Sequence, residues 1–453
     1  LLKSTDAGRT WTGIAGNLPS RGSVLAIAED HVDPNLLFAG TEFGLHFTID
    51  GGNKWQRLKS GLPTIAVKDL AIHRPMNDLV VGTFGRGMYV LDDYSALRGL
   101  KPEMLQKESQ LFPIRDGLVY VPTRQYGGAG NAFQGSAFYT AENPPFGTAI
   151  TYYLKDSIKT QKQLRREAEK AAEKKSAPPP APTKDELRAE AEEEAPAILL
   201  DIIDAGGKVI RTLTGPATSG IQRVTWDLRA PAATVAAPKA DGDDEGFRFQ
   251  PRGPLVKPGT YSVALAKRVR GQVTPLGQTQ QFQVALDAGA TPSAAEGQEH
   301  FAFGAQVTKL QRAVAGTQEA ANELASRLER IKRTLDQSPA VDAKWKDVVR
   351  KLEQKNRDIL RALRGDTVLA QRNENVPPSI ADRIGYAVGA QRAALQKPTQ
   401  TQRDSYEIAS QELREQLTKL RTLIEVELRP LERALDAAGA PWTPGRLPEW
   451  NGK

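Results

Sequence analysis

The chain of 453 residues reads as a multidomain protein, mainly β at first and α-helical towards its end. Three observations predict this class. The block Ser4-Thr5-Asp6-Ala7-Gly8-Arg9-Thr10-Trp11 returns in looser form as Thr48-Ile49-Asp50-Gly51-Gly52-Asn53-Lys54-Trp55, a spacing of 44 residues (6 to 50). Short apolar runs broken by Gly, Pro, Asn and Asp continue as far as Leu286. From Gln306 onwards the apolar residues fall in steps of three and four. In chain order these predict a partial β-propeller (its last blades), a β-sandwich and an antiparallel helical bundle.

A repeat in the forties with short strands between turns is the signature of a four-stranded propeller blade. Leu1-Leu2-Lys3 runs straight into the first block, so the chain is expected to start inside a blade. It then reads as the C-terminal part of a longer protein whose signal peptide lies upstream. The next blade is expected at Val24–Asp30, Leu36–Thr41, Leu45–Ile49 and Trp55–Lys59. The last one, ending at residue 97, shows only three strands, Val67–His73, Leu79–Phe84 and Met88–Asp92. Fewer than three blades close no ring, so an exposed edge is expected.

Each repeated block reads as a hairpin turn. Asp6 and Asp50 accept backbone N–H bonds, Gly8 and Gly52 take positive φ, and Trp11 and Trp55 cover apolar surface. Ser4, Thr10 and Thr48 complete the pattern. The rival role, a catalytic acid at Asp6 or Asp50, is disfavoured because these residues recur once per repeat and active sites do not. The pattern S-x-D-x-G-x-T-W resembles the Asp-box of sialidase-like and sortilin-like β-propellers. That likeness implies architecture rather than chemistry, since the box occurs in enzymes and binding proteins alike.

Residues 98–146 read as a linker and irregular segment, with a loop at Gly127-Gly128-Ala129-Gly130 that no helix follows and that is therefore no phosphate loop. Strand-like runs follow at Thr148–Lys155, Ala197–Ile203, Lys208–Leu213, Gln222–Leu228, Gly259–Ala266 and Gln280–Leu286, predicting a sandwich over 147–290. Residues 202–213, then Val224-Thr225-Trp226-Asp227 and Pro258-Gly259-Thr260-Tyr261, resemble the immunoglobulin-like domain of flagellar hook-capping proteins. Trp226 is expected in its core, with ligand stacking as the rival role. An insertion at 157–196 carries a basic arm, a triple proline (Pro178–Pro180) and an acidic arm, predicting a solvated and mobile charged hairpin. A second insertion, 232–253, reads as a loop.

Val307, Leu310, Val314, Leu324, Leu328 and Ile331 open four amphipathic sets with breaks at Pro339, Gly365 and Pro398, predicting a bundle over 301–437. A self-associating coiled coil is the alternative. In the tail, 438–453, Trp442 and Trp450 are expected to fold back onto protein.

Composition excludes several classes. There is no Cys, so no disulfide or thiolate metal site; the four His show no ligand spacing, so no metal and no cofactor are expected. The net charge of +7 is dispersed and accompanies no nucleic-acid motif. No apolar run is long enough for a membrane span. Gly82-Thr83-Phe84-Gly85-Arg86-Gly87-Met88-Tyr89-Val90-Leu91-Asp92-Asp93 is similar to the closing blade of large secreted bacterial propellers of sortilin-like type, often labelled glycosyl hydrolases. Arg86 is a candidate for an anionic ligand group or for pairing with a blade carboxylate, and the pair is favoured. Asp92 and Asp93 are candidate catalytic carboxylates, with turn-tying as the favoured role. Arg364-Gly365-Asp366 matches an adhesion tripeptide but sits at a helix end. Two functions remain. One is a ligand-binding scaffold for a protein, peptide or glycan, secreted or periplasmic. The other is a glycoside hydrolase, sialidase-like or β-glucan-cleaving, whose acids lie chiefly in the missing blades.

Overall fold

The computed structural model describes residues 1–453 except 60, 102, 123–140, 142, 176–181, 236–250, 288–292, 339, 448–449 and 451–453. The Gly127–Gly130 loop, the triple proline, Pro339 and the greater part of the 232–253 insertion lie outside the described residues. Strands come first and helices last. The chain divides into two compact units: Leu1–Gly117 with Arg124–Asp227 and Gly259–Gln283, and Leu118–Thr123 with Leu228–Pro258 and Val284–Lys453.

In the first unit, β1 (Leu2–Lys3) and β2 (Thr12–Gly13) pair as a short ribbon. Strands β3 (Val24–Glu29), β4 (Leu37–Thr41), β5 (Gly44–Thr48) and β6 (Trp55–Leu58) form a four-stranded antiparallel meander in sequence order. Strands β7 (Val67–His73), β8 (Asp78–Thr83) and β9 (Met88–Leu91) form a three-stranded one. The two sheets share a core that includes Phe38, Phe47, Val67, Leu70, Leu79 and Val81. Gly40 allows the close approach: a Cβ there would lie 2.7 Å from a Val67 methyl. β4 and β5 are buried along their whole length, so they lack the alternation of a half-buried strand. β9 is an edge strand with Met88 and Val90 exposed.

The remaining strands make two sheets. β10 (Ser109–Leu111), β12 (Thr148–Leu154) and β15 (Gly220–Trp226) are antiparallel neighbours in that order. β11 (Gly117–Val119), β17 (Gln272–Leu286), β16 (Gly259–Val269), β13 (Ala197–Asp204) and β14 (Val209–Gly215) form the other, also in that order. Trp226 of β15 is fully buried and meets Tyr261 and Phe282 of the second sheet edge-on, at 5.4 and 6.0 Å between centroids. It fills the core, as its favoured role requires. The segment read as a linker supplies β10 and β11, which at three residues each are too short to display a period.

Helices α1 (Gln161–Lys174) and α2 (Lys184–Glu192) bury no residue at all. Thr160 and Thr183 each open a capping box. Arg165 of α1 binds Glu190 of α2 with two parallel bonds of 2.7 and 2.9 Å, and also contacts Glu169. Charge, not apolar burial, holds this pair together.

The second unit is helical: α3 (Ala294–Gln337), α4 (Lys344–Arg364), α5 (Thr367–Ala370), α6 (Ile380–Ala393), α7 (Gln400–Thr422) and α8 (Leu428–Ala437). α3 starts ahead of the expected Gln306 because Ser293 and Glu296 form a capping box, and its 44 residues extend about 66 Å. Leu328, Ile331, Leu352, Ile359, Ile384, Leu413, Leu420 and Leu431 lie in one core cluster. Between α7 and α8 the chain widens into a π-turn at Leu423–Glu427. Pro430 explains it: proline has no N–H for the Val426 carbonyl and its ring crowds that oxygen. Leu428 N–H bonds Leu423 C=O instead, and Leu423, Leu428 and Leu431 all stay buried.

The tail overturns the expectation for its tryptophans. Trp442 is 54% and Trp450 83% exposed. The tail is anchored by Arg446 and Thr443, both buried. Arg446 donates to the carbonyls of Ala440 and Pro441 and pairs with Asp436 at 3.3 Å. Trp442 spends its ring N–H on the Arg446 carbonyl, fixing the turn from outside.

Candidate functional site

Both repeated blocks form hairpin turns with the same bonding. In the first, Thr10 N–H and its hydroxyl donate to the two Asp6 oxygens at 2.8 and 2.7 Å, while Ser4 Oγ donates to Asp6 and accepts from Gly8 N–H. In the second, Lys54 N–H donates to Asp50 at 2.9 Å, and Thr48 Oγ1 donates to Asp50 and accepts from Gly52 N–H. Gly8 and Gly52 have φ of 86° and 102°. The backbone N–H and hydroxyl of Thr10 lower the Asp6 carboxyl to about 2. Burial works against Asp50, but Lys54 N–H and the Thr48 hydroxyl still bring it below the ordinary carboxylate range. Both carboxylates are thus ionised acceptors engaged in turns, the opposite of what a general acid needs.

The tryptophans part company. Trp55 is 3% exposed among Leu37, Ala39, Ile14 and Leu18, and its ring N–H donates to Ile14 C=O at 2.9 Å. Asn17 brackets it, accepting from Trp55 N–H and donating to Trp55 C=O. Trp11 was expected to be buried too but is 61% exposed, its ring N–H donating only to Gly8 within the same turn. β1 and β2 are two residues each, and no described strand lies beside them in their sheet.

Arg86 projects from the β8–β9 hairpin between Gly85 (φ 79°) and Gly87 (φ 70°). It is exposed and makes no hydrogen bond or ion pair with the described residues, so the favoured blade-carboxylate pair does not form. Phe84 and Met88, flanking it, are 69% and 78% exposed, and Lys68 Nζ lies 5.5 Å from the Phe84 ring. Thr83 closes the hairpin, its N–H and hydroxyl both donating to Gly87 C=O.

Asp93 caps the short 3-10 helix Tyr94–Gly99, accepting from Ser95 N–H and Oγ in a left-handed conformation. That is a turn-tying role. Asp92 differs. Burial, then the nearby Asp78 carboxylate, pushes its carboxyl above the usual range, with Arg223 and Arg115 opposing. Arg223 grips the carbonyls of Asp92 and Asp93, each at 2.7 Å, and so locks β15 onto the end of β9.

Sequence reasoning missed the most deeply buried carboxylate of the first unit. Asp30, at the end of β3, accepts from Tyr94 Oη at 2.6 Å, from Arg98 Nε and Nη2 at 2.8 and 2.7 Å, and from Asp33 N–H. Arg98 also binds Asn77. Burial opposes ionisation, but these donors hold the Asp30 carboxyl well below the usual range, and burial with Asp30 raises the Tyr94 hydroxyl. The network joins the two sheets and leaves no acid for chemistry. Asp30 is followed by His31-Val32-Asp33-Pro34, so it reads as one more turn aspartate, and its partners are 64 and 68 residues away. The tripeptide Arg364-Gly365-Asp366 is also structural. Gly365 ends α4, and Asp366 caps α5 through Val368 and Leu369 N–H.

Among the described residues no group of His, Asp and Glu could hold a metal ion, and no described helix is long and apolar enough to cross a membrane. No family model and no curated protein matches the chain. Two similar solved structures are crystal structures of the extracellular domain of BT4673 from B. thetaiotaomicron, described as a candidate one component or hybrid two component system. They share 10% identity, cover 63% and 62% of this chain, and have TM-scores of 0.17 and 0.16. The chain spans 28% of their length. Likeness at that level carries no argument about fold or role. Neither of these two structures is described as sortilin-like or as a glycoside hydrolase.

Proposed function

We propose that residues 1–97 are the last blades of a β-propeller, followed by an immunoglobulin-like sandwich and a helical bundle. The chain is then part of a secreted or periplasmic ligand-binding scaffold whose partner is a protein, peptide or glycan. The observation that carries binding over catalysis is the β8–β9 hairpin tip. It presents Phe84, Arg86 and Met88 to solvent. Large exposed apolar groups beside an unengaged cation suit recognition, because aromatic and Arg side chains supply most contact energy at interfaces. The meander order of β3–β6, the stacked three-stranded neighbour and the Asp-box hairpins support the blade assignment.

The test is a glycan and peptide array screen of the purified chain, followed by Phe84→Ala and Arg86→Ala on any hit. Each substitution should weaken binding by about tenfold. A hit that both variants bind as tightly as the parent would overturn the assignment of the tip.

One observation favours the glycoside-hydrolase alternative: a carboxyl raised above its usual range, as at Asp92, is what a general acid requires. Hydrolysis of a sialoside or β-glucan by the chain, abolished in Asp92→Asn, would establish that reading over the scaffold.

A further inference from the structure

The strands of residues 1–97 repeat one plan: β1–β2, then β3–β6, then β7–β9. Register fixes the equivalence. Leu2 pairs with Gly13 as His46 pairs with Arg57. Val24↔Thr41 and Leu37↔Thr48 in the second repeat match Val67↔Thr83 and Leu79↔Leu91 in the third. β3 and β7 both shift register just after their first residue. Thr41 and Thr83 each donate a hydroxyl to the glycine carbonyl across their hairpin, Gly44 and Gly87. Each repeat therefore has a front, turned to its predecessor, and a back, turned to its successor. At the first junction Leu1, Ile14 and Leu18 pack on Leu37, Ala39 and Trp55. At the second, their counterparts 44 residues on (1 to 45, 14 to 58, 18 to 62), Leu45, Leu58 and Leu62, share a core with Leu79 and Val81.

The two ends of this stack are open. The front of the first repeat carries Leu2 and Trp11, the counterparts of His46 and Trp55. Both are 61% exposed, whereas His46 and Trp55 are buried. The back of the third repeat carries Met88 and Val90, which stand where Leu45 and Phe47 stand in the second, since Gly82 and Val80 oppose them as Gly40 and Phe38 oppose those two. Met88 and Val90 are exposed, whereas Leu45 and Phe47 are buried. Tyr89 and Leu91, on the other face of β9, pack into the shared core. Stacked repeats ordinarily end in a polar outer face, because an apolar one invites a further repeat to settle on it. Here both outer faces are apolar, and they are the two halves of a junction that the chain already makes twice.

We infer that the chain associates head to tail with a second copy of itself. The front of one copy, Leu2 and Trp11, seats on the back of the other, Met88 and Val90, so that the contact between copies continues the contacts within each. Such a contact is heterologous: each copy uses two different surfaces, and association grows into a ring or a filament instead of stopping at a symmetric pair. Only β1, β2 and β9 take part, so the interface is small, and a Kd of about 100 µM is expected. The inference rests on the blade assignment of residues 1–97 and not on the ligand reading of the hairpin tip.

The experiment is sedimentation equilibrium of the intact chain from about 5 to about 500 µM, a span that brackets the expected Kd. The mean mass should rise with concentration. Trp11→Glu spoils only the front and Val90→Glu only the back, both at exposed positions, and each should weaken self-association at least about tenfold. Met88→Glu, at a still more exposed site, repeats the back-face test. The decisive sample mixes Trp11→Glu with Val90→Glu. One intact back and one intact front remain, so the mixture should form a 1:1 dimer and grow no further. A parent chain that stays monomeric would overturn the inference in favour of a different chain's sheet on these faces. A single variant that still self-associates, or a mixture that does not pair, would overturn it too. Amide hydrogen exchange on the same samples reads the blade assignment separately: protected β3–β8 in a monomeric parent would overturn this inference alone, and unprotected β3–β8 would overturn both.

Discussion

The hairpins at 4–11 and 48–55 carry the same motif and the same bonds from hydroxyl to carboxylate, from glycine N–H to hydroxyl and from backbone N–H to carboxylate, yet one tryptophan is sealed in and the other stands in solvent. Trp55 has Ile14, Leu18, Leu37 and Ala39 around it and a distant carbonyl for its N–H. Trp11 has only its own turn. The carboxylate, hydroxyl and glycine of the motif therefore specify a turn, a local object completed within a few residues. The tryptophan specifies nothing until a neighbouring strand supplies a surface. A motif of this kind has a local half that always forms and a tertiary half that depends on context.

The sharpest way to break that comparison is to remove both rings. Trp55→Ala should cost about 3–5 kcal/mol, as for other large buried aromatics, whereas Trp11→Ala should stay within about 0.5 kcal/mol. Urea denaturation followed by circular dichroism reads both, and equal losses would mean that Trp11 is covered in solution.

The glycines should separate less. Gly8→Ala meets only the Trp11 ring, at 3.7 Å, and should cost about 1 kcal/mol from positive φ alone. Gly52→Ala has the same backbone strain, and its Cβ would lie 2.7 Å from Ile14 Cβ and 2.9 Å from Ile14 O. About 2–3 kcal/mol is expected there, because the added methyl meets backbone that cannot move aside. Thermal unfolding of the two variants side by side checks the order.

The smallest effect is in the carboxylates. Both are depressed in the folded state, so each contributes stability that is fully present above the ordinary value of 3.8 and is lost as pH falls through the folded value. For Asp6 that window runs from 3.8 down to about 2. Carbon-detected NMR titration should place the Asp6 midpoint near the lower limit, and Asp6→Asn should remove its share of the acid slope together with the stability the carboxylate contributes at pH 7. A midpoint at the ordinary value would show that the turn opens in solution.

Much of the β architecture was legible because strands such as Ala197–Asp204 are largely apolar, rich in Ile and Leu, and bounded by turn residues. The helices were legible because Leu324, Leu328, Ile331 and Leu335 repeat on one face. What stayed hidden was either too short or too distant. Ser109–Leu111 and Gly117–Val119 have no room for a period. Asp30 looks like any turn aspartate until Tyr94 and Arg98 arrive from the far side of the next sheet. Trp442 and Trp450 misled in the opposite direction: hydrophobic size suggested burial, while Arg446 performs the anchoring.

The charged pair of helices α1 and α2 behaves like a cassette. The chain leaves the sheet beside Ser157 and Ile158, which bond Ser219 and Ala217, and it comes back at Glu193, whose carboxylate accepts from Gln161 N–H. Departure and return are thus stitched together at one spot, and no residue of α1 or α2 is buried. A segment attached in this way can lengthen, shorten or carry foreign cargo while the strands on either side keep their register. It offers a natural port for a fluorescent reporter or an affinity handle.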